Sequence, residues 1–175
     1  MVKRDKQATA EARATAFAAR RDGDNVLIIE ARFYEDIADE LVAGATAEFE
    51  ANGVGYERVT VPGALEIPQV LASAAAAGLI PGSAPRARFC GAVALGCVIR
   101  GETSHYDVVV GHANHWLMDT AMRRGIPVGN GILTVDTKEQ ALARARGGRD
   151  GKGGDAARAC LSLVAHARRF EETQR

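Results

Sequence analysis

The sequence predicts an α/β domain in which a parallel β-sheet lies between two layers of helices. Three observations carry that prediction. Strand-length apolar runs alternate with helix-patterned segments from residue 25 to residue 170, the order that a parallel sheet with helical crossovers requires. The run RFCGAVALGCVI, residues 88–99, is apolar on both faces, as a central parallel strand should be. No internal repeat or domain boundary interrupts the alternation. The 175 residues therefore read as one domain, 25–175, behind an N-terminal extension, 1–24, and that length is enough for a proper core.

Each element has its own signal. Residues 7–20 are Ala-rich and helix-compatible, and are expected to be partly flexible at the chain terminus. NVLIIEA, 25–31, is a short apolar run of strand length. In 34–53, Ile37, Leu41, Val42, Ala45 and Phe49 share one helical face, and Asn52-Gly53 is a stop signal. YERVTV, 56–61, alternates and is rich in β-branched residues, which predicts a second strand. Residues 64–78 read as a helix with Pro68 in its first turn, where a missing N–H does no harm. A loop over 79–87 leads to the third strand, 88–99. Residues 104–125 form a long helix that ends at Gly125, and 126–135 supply the fourth strand. An Asp136-Thr137 cap opens a helix over 136–145. The glycine-rich stretch 147–155 reads as a break, and 155–170 as the final helix.

Composition removes several function classes. Lys+Arg and Asp+Glu are both 22, so nothing favours a general nucleic-acid binder. No apolar run reaches the length of a membrane-spanning helix. The N-terminus has no continuous apolar stretch of the secretory kind. It is Arg- and Ala-rich like a transit peptide, but Asp5, Glu11 and Asp22 argue against one. Cys90, Cys97 and Cys160 form no CxxC pair and read as small, reduced core residues. The expected location is the cytoplasm.

In open parallel sheets ligands bind beyond the carboxyl ends of the strands. The informative positions are thus Arg32-Phe33, Pro62 to Glu66, Arg100 to His105, and the segment around Asn130. Gly101-Glu102-Thr103-Ser104 joins a strand end to a helix start. Unpaired N–H groups and the positive end of a helix dipole suit a phosphate there. The Glu102 side chain is expected to point away. A plain helix cap by Thr103 or Ser104 is the competing reading. His105 follows in the first helical turn, where an imidazole can exchange protons beside the crevice; a surface histidine is the simpler alternative. His112 and His115 have no zinc-like spacing with it, and no metal is expected. The 147–155 stretch fails as a Walker motif, because Lys152 is followed by Gly153 and no strand precedes it. Arg144 and Lys152 can still meet a phosphate, or can be ordinary solvated cations. Phe33 can stack on a flat ring or cover the core, and Trp116 is expected in a core or a subunit contact.

Taken in order, EARFYEDI (30–37), VPGALEIP (61–68), LGCVIRGETSHYD (95–107), GIPVGNGILTVDTKEQALARA (125–145) and GKGG (151–154) resemble the lumazine synthases of riboflavin biosynthesis. The resemblance covers about residues 25–170. It implies a flavodoxin-like α/β/α fold with a four-stranded parallel sheet. It also implies a transferase that condenses 5-amino-6-(D-ribitylamino)uracil with 3,4-dihydroxy-2-butanone 4-phosphate, giving 6,7-dimethyl-8-ribityllumazine, phosphate and water without cofactor or metal. Partners would be small-molecule substrates and further copies of the chain, in pentamers or multiples of pentamers with active sites between adjacent subunits.

By the same resemblance, Phe33 stacks on the pyrimidine, and Ala64, Leu65 and Glu66 hold the ribityl chain. Val98 and Ile99 offer backbone contacts to the pyrimidine edge. Gly101, Glu102 and Thr103 form the phosphate loop, and His105 is the general acid/base. From the neighbouring subunit, Asn130 touches the pyrimidine, while Arg144 and Lys152 approach the phosphate. Asn130 and Leu65 stand where the family often has an aromatic residue, and Cys97 where it often has a small or hydroxyl residue. A lumazine- or flavin-holding shell without turnover, and a flavodoxin-like electron carrier, are the competing readings. Retained His105, Arg144 and Lys152 count against the first, and the absence of a separate flavin-phosphate loop after the first strand counts against the second.

Overall fold

The computed structural model describes residues 23–81 and 87–173. The helix expected at 7–20, and with it most of the extension, lies outside the described residues. The elements run β1 (Asn25–Ala31), α1 (Glu35–Ala51), β2 (Gly55–Val61), a 3₁₀ turn (Ala64–Glu66), α2 (Ile67–Ala76), β3 (Gly91–Ile99), α3 (His105–Arg124), β4 (Val128–Val135), α4 (Lys138–Ala145), a second 3₁₀ turn (Gly148–Asp150) and α5 (Lys152–Thr173). The strands form one sheet in the order β2-β1-β3-β4. All its pairs are parallel, with Ile28 opposite both Arg58 and Val93, and Val98 opposite Thr134. This is the three-layer arrangement that the alternation predicts, with the four-stranded, flavodoxin-like sheet that the resemblance implies.

Alternation along β1 divides the core. Val26 and Ile28 pack into one cluster with α1, α4 and α5; Leu27 and Ile29 pack into the other with α2 and α3. Successive strand side chains point to opposite faces, so a central strand feeds both layers. β2 is an edge strand and buries only Val61 well. Its alternating sequence therefore marks a strand, but a largely exposed one.

Helix ends follow local chemistry. Thr137 Oγ1 accepts from Gln140 N–H at 3.3 Å while Gln140 Oε1 accepts from Asp136 N–H at 3.0 Å, a reciprocal cap for α4. α3 stops at Gly125, whose φ of 62° is left-handed and favours glycine. Pro68 sits in the first turn of α2.

The glycine-rich stretch differs from expectation. It is a 3₁₀ turn followed at once by α5, which starts at Lys152 rather than at residue 155. The reason is packing: a Cβ on Gly153 would meet the carbonyl oxygen of Leu41 at 1.8 Å. Gly153 costs helix propensity but lets α5 seat directly on the backbone of α1. The third strand likewise begins at Gly91, three residues later than its apolar run suggests.

The same interface holds a buried ionic group. Glu48 on α1 accepts from Arg149 at 2.9 Å and from Arg158 on α5 at 3.1 Å, and Arg158 is itself buried. Arg158 also donates to Asp155 and to the Arg149 carbonyl. Burial on its own would raise the Glu48 pKa, but hydrogen bonding from Arg149 and the charge of Arg158 outweigh it and hold the carboxyl below its ordinary value. Glu30, at the end of β1, is buried between Arg58 at 2.7 Å and Arg32 at 3.1 Å.

Candidate active site

The chain reverses direction across the sheet between β1 and β3, because β2 is added on one side and β3 on the other. Strand ends diverge at such a point and leave a crevice. A cavity of about 280 Å³ opens there. Phe33 and Tyr34 border it after β1, Gly63 to Glu66 after β2, and Cys97 to Ile99 at the end of β3. Gly101, Thr103, His105, Tyr106 and Val109 complete the wall.

Phe33 is 70% exposed, so it presents its ring to the crevice and does not cover the core. Tyr34 holds it edge-to-face at a centroid distance of 4.9 Å. The Glu66 carboxylate is half-buried and makes no hydrogen bond among the described residues, which leaves both oxygens free to accept. The loop after β3 has unused donors. Among the described residues, the backbone N–H groups of Gly101, Glu102, Thr103 and Ser104 meet no backbone acceptor. Ser104 makes no side-chain cap, and Thr103 Oγ1 accepts only from His105 N–H, at 3.4 Å. A weak cap leaves this helix start open to an anion. Glu102 is exposed and does not border the cavity. The His105 ring borders the cavity and makes no hydrogen bond among the described residues.

Besides Glu102, three residues singled out in the sequence do not join this group. Asn130, on the edge strand β4, donates to Asn114 Oδ1 at 2.7 Å and accepts from Ile132 N–H at 3.0 Å. Arg144 is exposed on α4 and donates to the Gln140 carbonyl. Lys152 pairs with Asp155 at 3.1 Å at the start of α5. None of the three borders the cavity within one chain. Tyr34, Cys97, Tyr106 and Val109 do border it and were not singled out as site residues; most adjoin residues that were. The Cys97 thiol is pushed up to about 11, by burial first and by the charge of Asp36 second. It is therefore a neutral, poorly nucleophilic wall. Trp116 is 51% exposed beside a groove between α2 and α3, so it is not a core residue.

Residues 23–168 match the family model for 6,7-dimethyl-8-ribityllumazine synthase. The chain belongs to the 6,7-dimethyl-8-ribityllumazine synthase family. Among curated relatives, the 6,7-dimethyl-8-ribityllumazine synthase of Methylorubrum populi is 56% identical over 143 residues, 82% of each chain. That of Xanthobacter autotrophicus is 52% identical over 150 residues, 86% of this chain and 88% of the relative. That of Nitrobacter hamburgensis is 49% identical over 163 residues, 92% of this chain and 98% of the relative. The segments that surround the cavity all fall inside the matched range. No helix among the described residues is long and apolar enough to cross a membrane.

Proposed function

We propose that the chain is a 6,7-dimethyl-8-ribityllumazine synthase that works at the β1/β3 crevice. The amine of 5-amino-6-(D-ribitylamino)uracil attacks the ketone of 3,4-dihydroxy-2-butanone 4-phosphate and loses water to give a Schiff base. Phosphate then leaves by elimination, and ring closure expels a second water. One observation carries the assignment of the site: the ends of β1 and β3, the 3₁₀ turn after β2 and the open N-terminus of α3 converge on a single cavity in a chain of this family.

Roles follow from chemistry. Phe33 offers a face for the flat pyrimidine. The unpaired Glu66 carboxylate accepts from ribityl hydroxyls, with Ala64 and Leu65 beside it. Val98 and Ile99 supply backbone groups to the pyrimidine edge. Gly101, Glu102 and Thr103 cradle phosphate mainly through N–H groups. His105 moves protons to and from the reacting atoms, which is typically worth ~10²–10⁴-fold. Because both substrates are intrinsically reactive, holding them together contributes as well.

The site is completed in an oligomer, a pentamer or a multiple of it. Two features support this. The cradle has no cation among the cavity-lining residues of its own chain, while exposed Arg144 makes no ion pair with a carboxylate among the described residues. α3 spans 20 residues yet buries only Ala113, Leu117 and Ala121, leaving Val108, Trp116, Met118 and Met122 exposed. The neighbour would bring Asn130, Arg144 and Lys152. The proposed location is the cytoplasm.

The test is to mix the two substrates with the protein and follow lumazine absorbance, with light scattering on the same sample. Recovery of activity on mixing His105→Ala and Arg144→Ala subunits is expected from a shared site. No lumazine from the wild-type protein would sink the reading.

A further inference from the structure

Arg100 is the first residue beyond β3, and it does not border the cavity. Its backbone N–H donates to the Val135 carbonyl at 2.9 Å, which ties it to the end of β4. Its guanidinium lies over the ring of Tyr106, 4.0 Å from the centroid. One amino nitrogen reaches Asp107 at 3.2 Å, and Nε lies 3.5 Å from Asp136. The side chain thus clasps the loop 101–104 from its entry at the strand to its exit in the first turn of α3. Within the loop, the weak Thr103–His105 contact is the side-chain hydrogen bond seen among the described residues. The ends therefore set its shape.

Two further features fit a role in substrate binding. Tyr106, the ring under the guanidinium, is part of the cavity wall, and His105 precedes it. Asp107 lies in the first turn of α3, where a carboxylate competes with an incoming anion for the positive helix end. Pairing with Arg100 offsets that charge.

We propose that Arg100 is a positioning residue for the phosphate cradle. Its planar fork, stacked on Tyr106 and paired with Asp107 and Asp136, holds residues 101–105 in the anion-binding shape before substrate arrives. This rests on the reading of that loop as the phosphate site. Preorganisation of this kind strengthens binding by removing the ordering cost from the binding step. Lysine keeps the charge but has neither the plane nor the fork.

The test uses the full chain, with inorganic phosphate as the binding probe and steady-state kinetics for both substrates. Arg100→Lys is expected to raise the KM of the phosphorylated substrate and the Kd of inorganic phosphate about tenfold each. The KM of the amine and the thermal midpoint should hardly move. A wild-type-like Arg100→Lys overturns the proposal, because charge alone then suffices. The Asp107→Asn/Asp136→Asn double variant reads the sign. It removes negative charge near the cradle, so a purely electrostatic role predicts tighter phosphate binding. Loss of the clasp predicts weaker binding, and tighter or unchanged binding overturns the proposal. Wild-type protein that forms no lumazine and binds no phosphate defeats the underlying site assignment; normal wild type with a normal Arg100→Lys defeats only the positioning role.

Discussion

The two helix layers solve different problems. The α1/α4/α5 layer is closed. Gly153 brings α5 onto the backbone of α1, and Glu48, Arg149 and Arg158 meet beneath it. The α2/α3 layer is open: its long helix leaves Trp116 half exposed and Met122 78% exposed, and the cavity lies at its edge. A closed layer can hold the chain together, which leaves the other free for the proposed site and contacts. Stability and function are then separable by mutation.

The largest expected effect tests the closed layer. Glu48→Gln leaves buried Arg158 without its full ionic partner, and breaking such a pair costs about 3–5 kcal/mol. Urea unfolding should show it, with activity per folded molecule retained; a matching fall in that activity would merge the two layers. The same network makes the layer acid-sensitive. Glu48 is held below its ordinary pKa, so the unfolded chain takes up its proton first as pH falls. Its contribution is complete above the ordinary carboxylate value and is lost as pH drops through the lower, folded one. Unfolding midpoints of wild type and Glu48→Gln should therefore converge on acidification.

Next comes His105→Ala, on the open side. Turnover should fall ~10²-fold without vanishing, and the urea midpoint should stay put. Unchanged single-turnover rates would remove His105 from the mechanism. Arg144→Ala sharpens the comparison, since Arg144 sits on a helix of the closed layer yet is proposed for a neighbour's site. Its expected mark is a KM for the phosphorylated substrate raised about tenfold, the scale of one hydrogen bond to a charged group. An unaltered KM would confine α4 to a structural part. Phe33→Leu should be smallest: loss of ring stacking raises the KM of the pyrimidine substrate about 2–10-fold, measured at saturating phosphorylated substrate.

Local signals were legible in the sequence wherever one residue decides the outcome. Apolar β1 and β3, the Gly125 stop of α3, the Thr137 cap of α4 and Pro68 in α2 all act over a few residues. Much of the cavity wall could be traced because crevices in open parallel sheets lie beyond the carboxyl ends of the strands. What escaped depends on distant partners. Gly153 looks like a break until Leu41 is seen against it. Glu48 and Arg158 look like surface charges until they meet. The partners of Arg100 lie seven and 36 residues further along the chain, on α3 and after β4, so its clasp has no sequence pattern. Tyr34 and Tyr106 were missed differently, as neighbours of Phe33 and His105 whose side chains happen to reach the same space.

Contact between α1 and α5 also has a consequence for synthesis. Glu48 and Arg158 are 110 residues apart in sequence. A ribosome therefore releases α1 long before the helix that seals it exists. During that interval Leu41, Phe49 and the Glu48 carboxylate face water or other parts of the nascent chain. Contacts of such long range form late and slowly, and exposed apolar segments are vulnerable meanwhile. The seat of Gly153 on Leu41 thus makes folding an event that waits for the end of the domain to emerge.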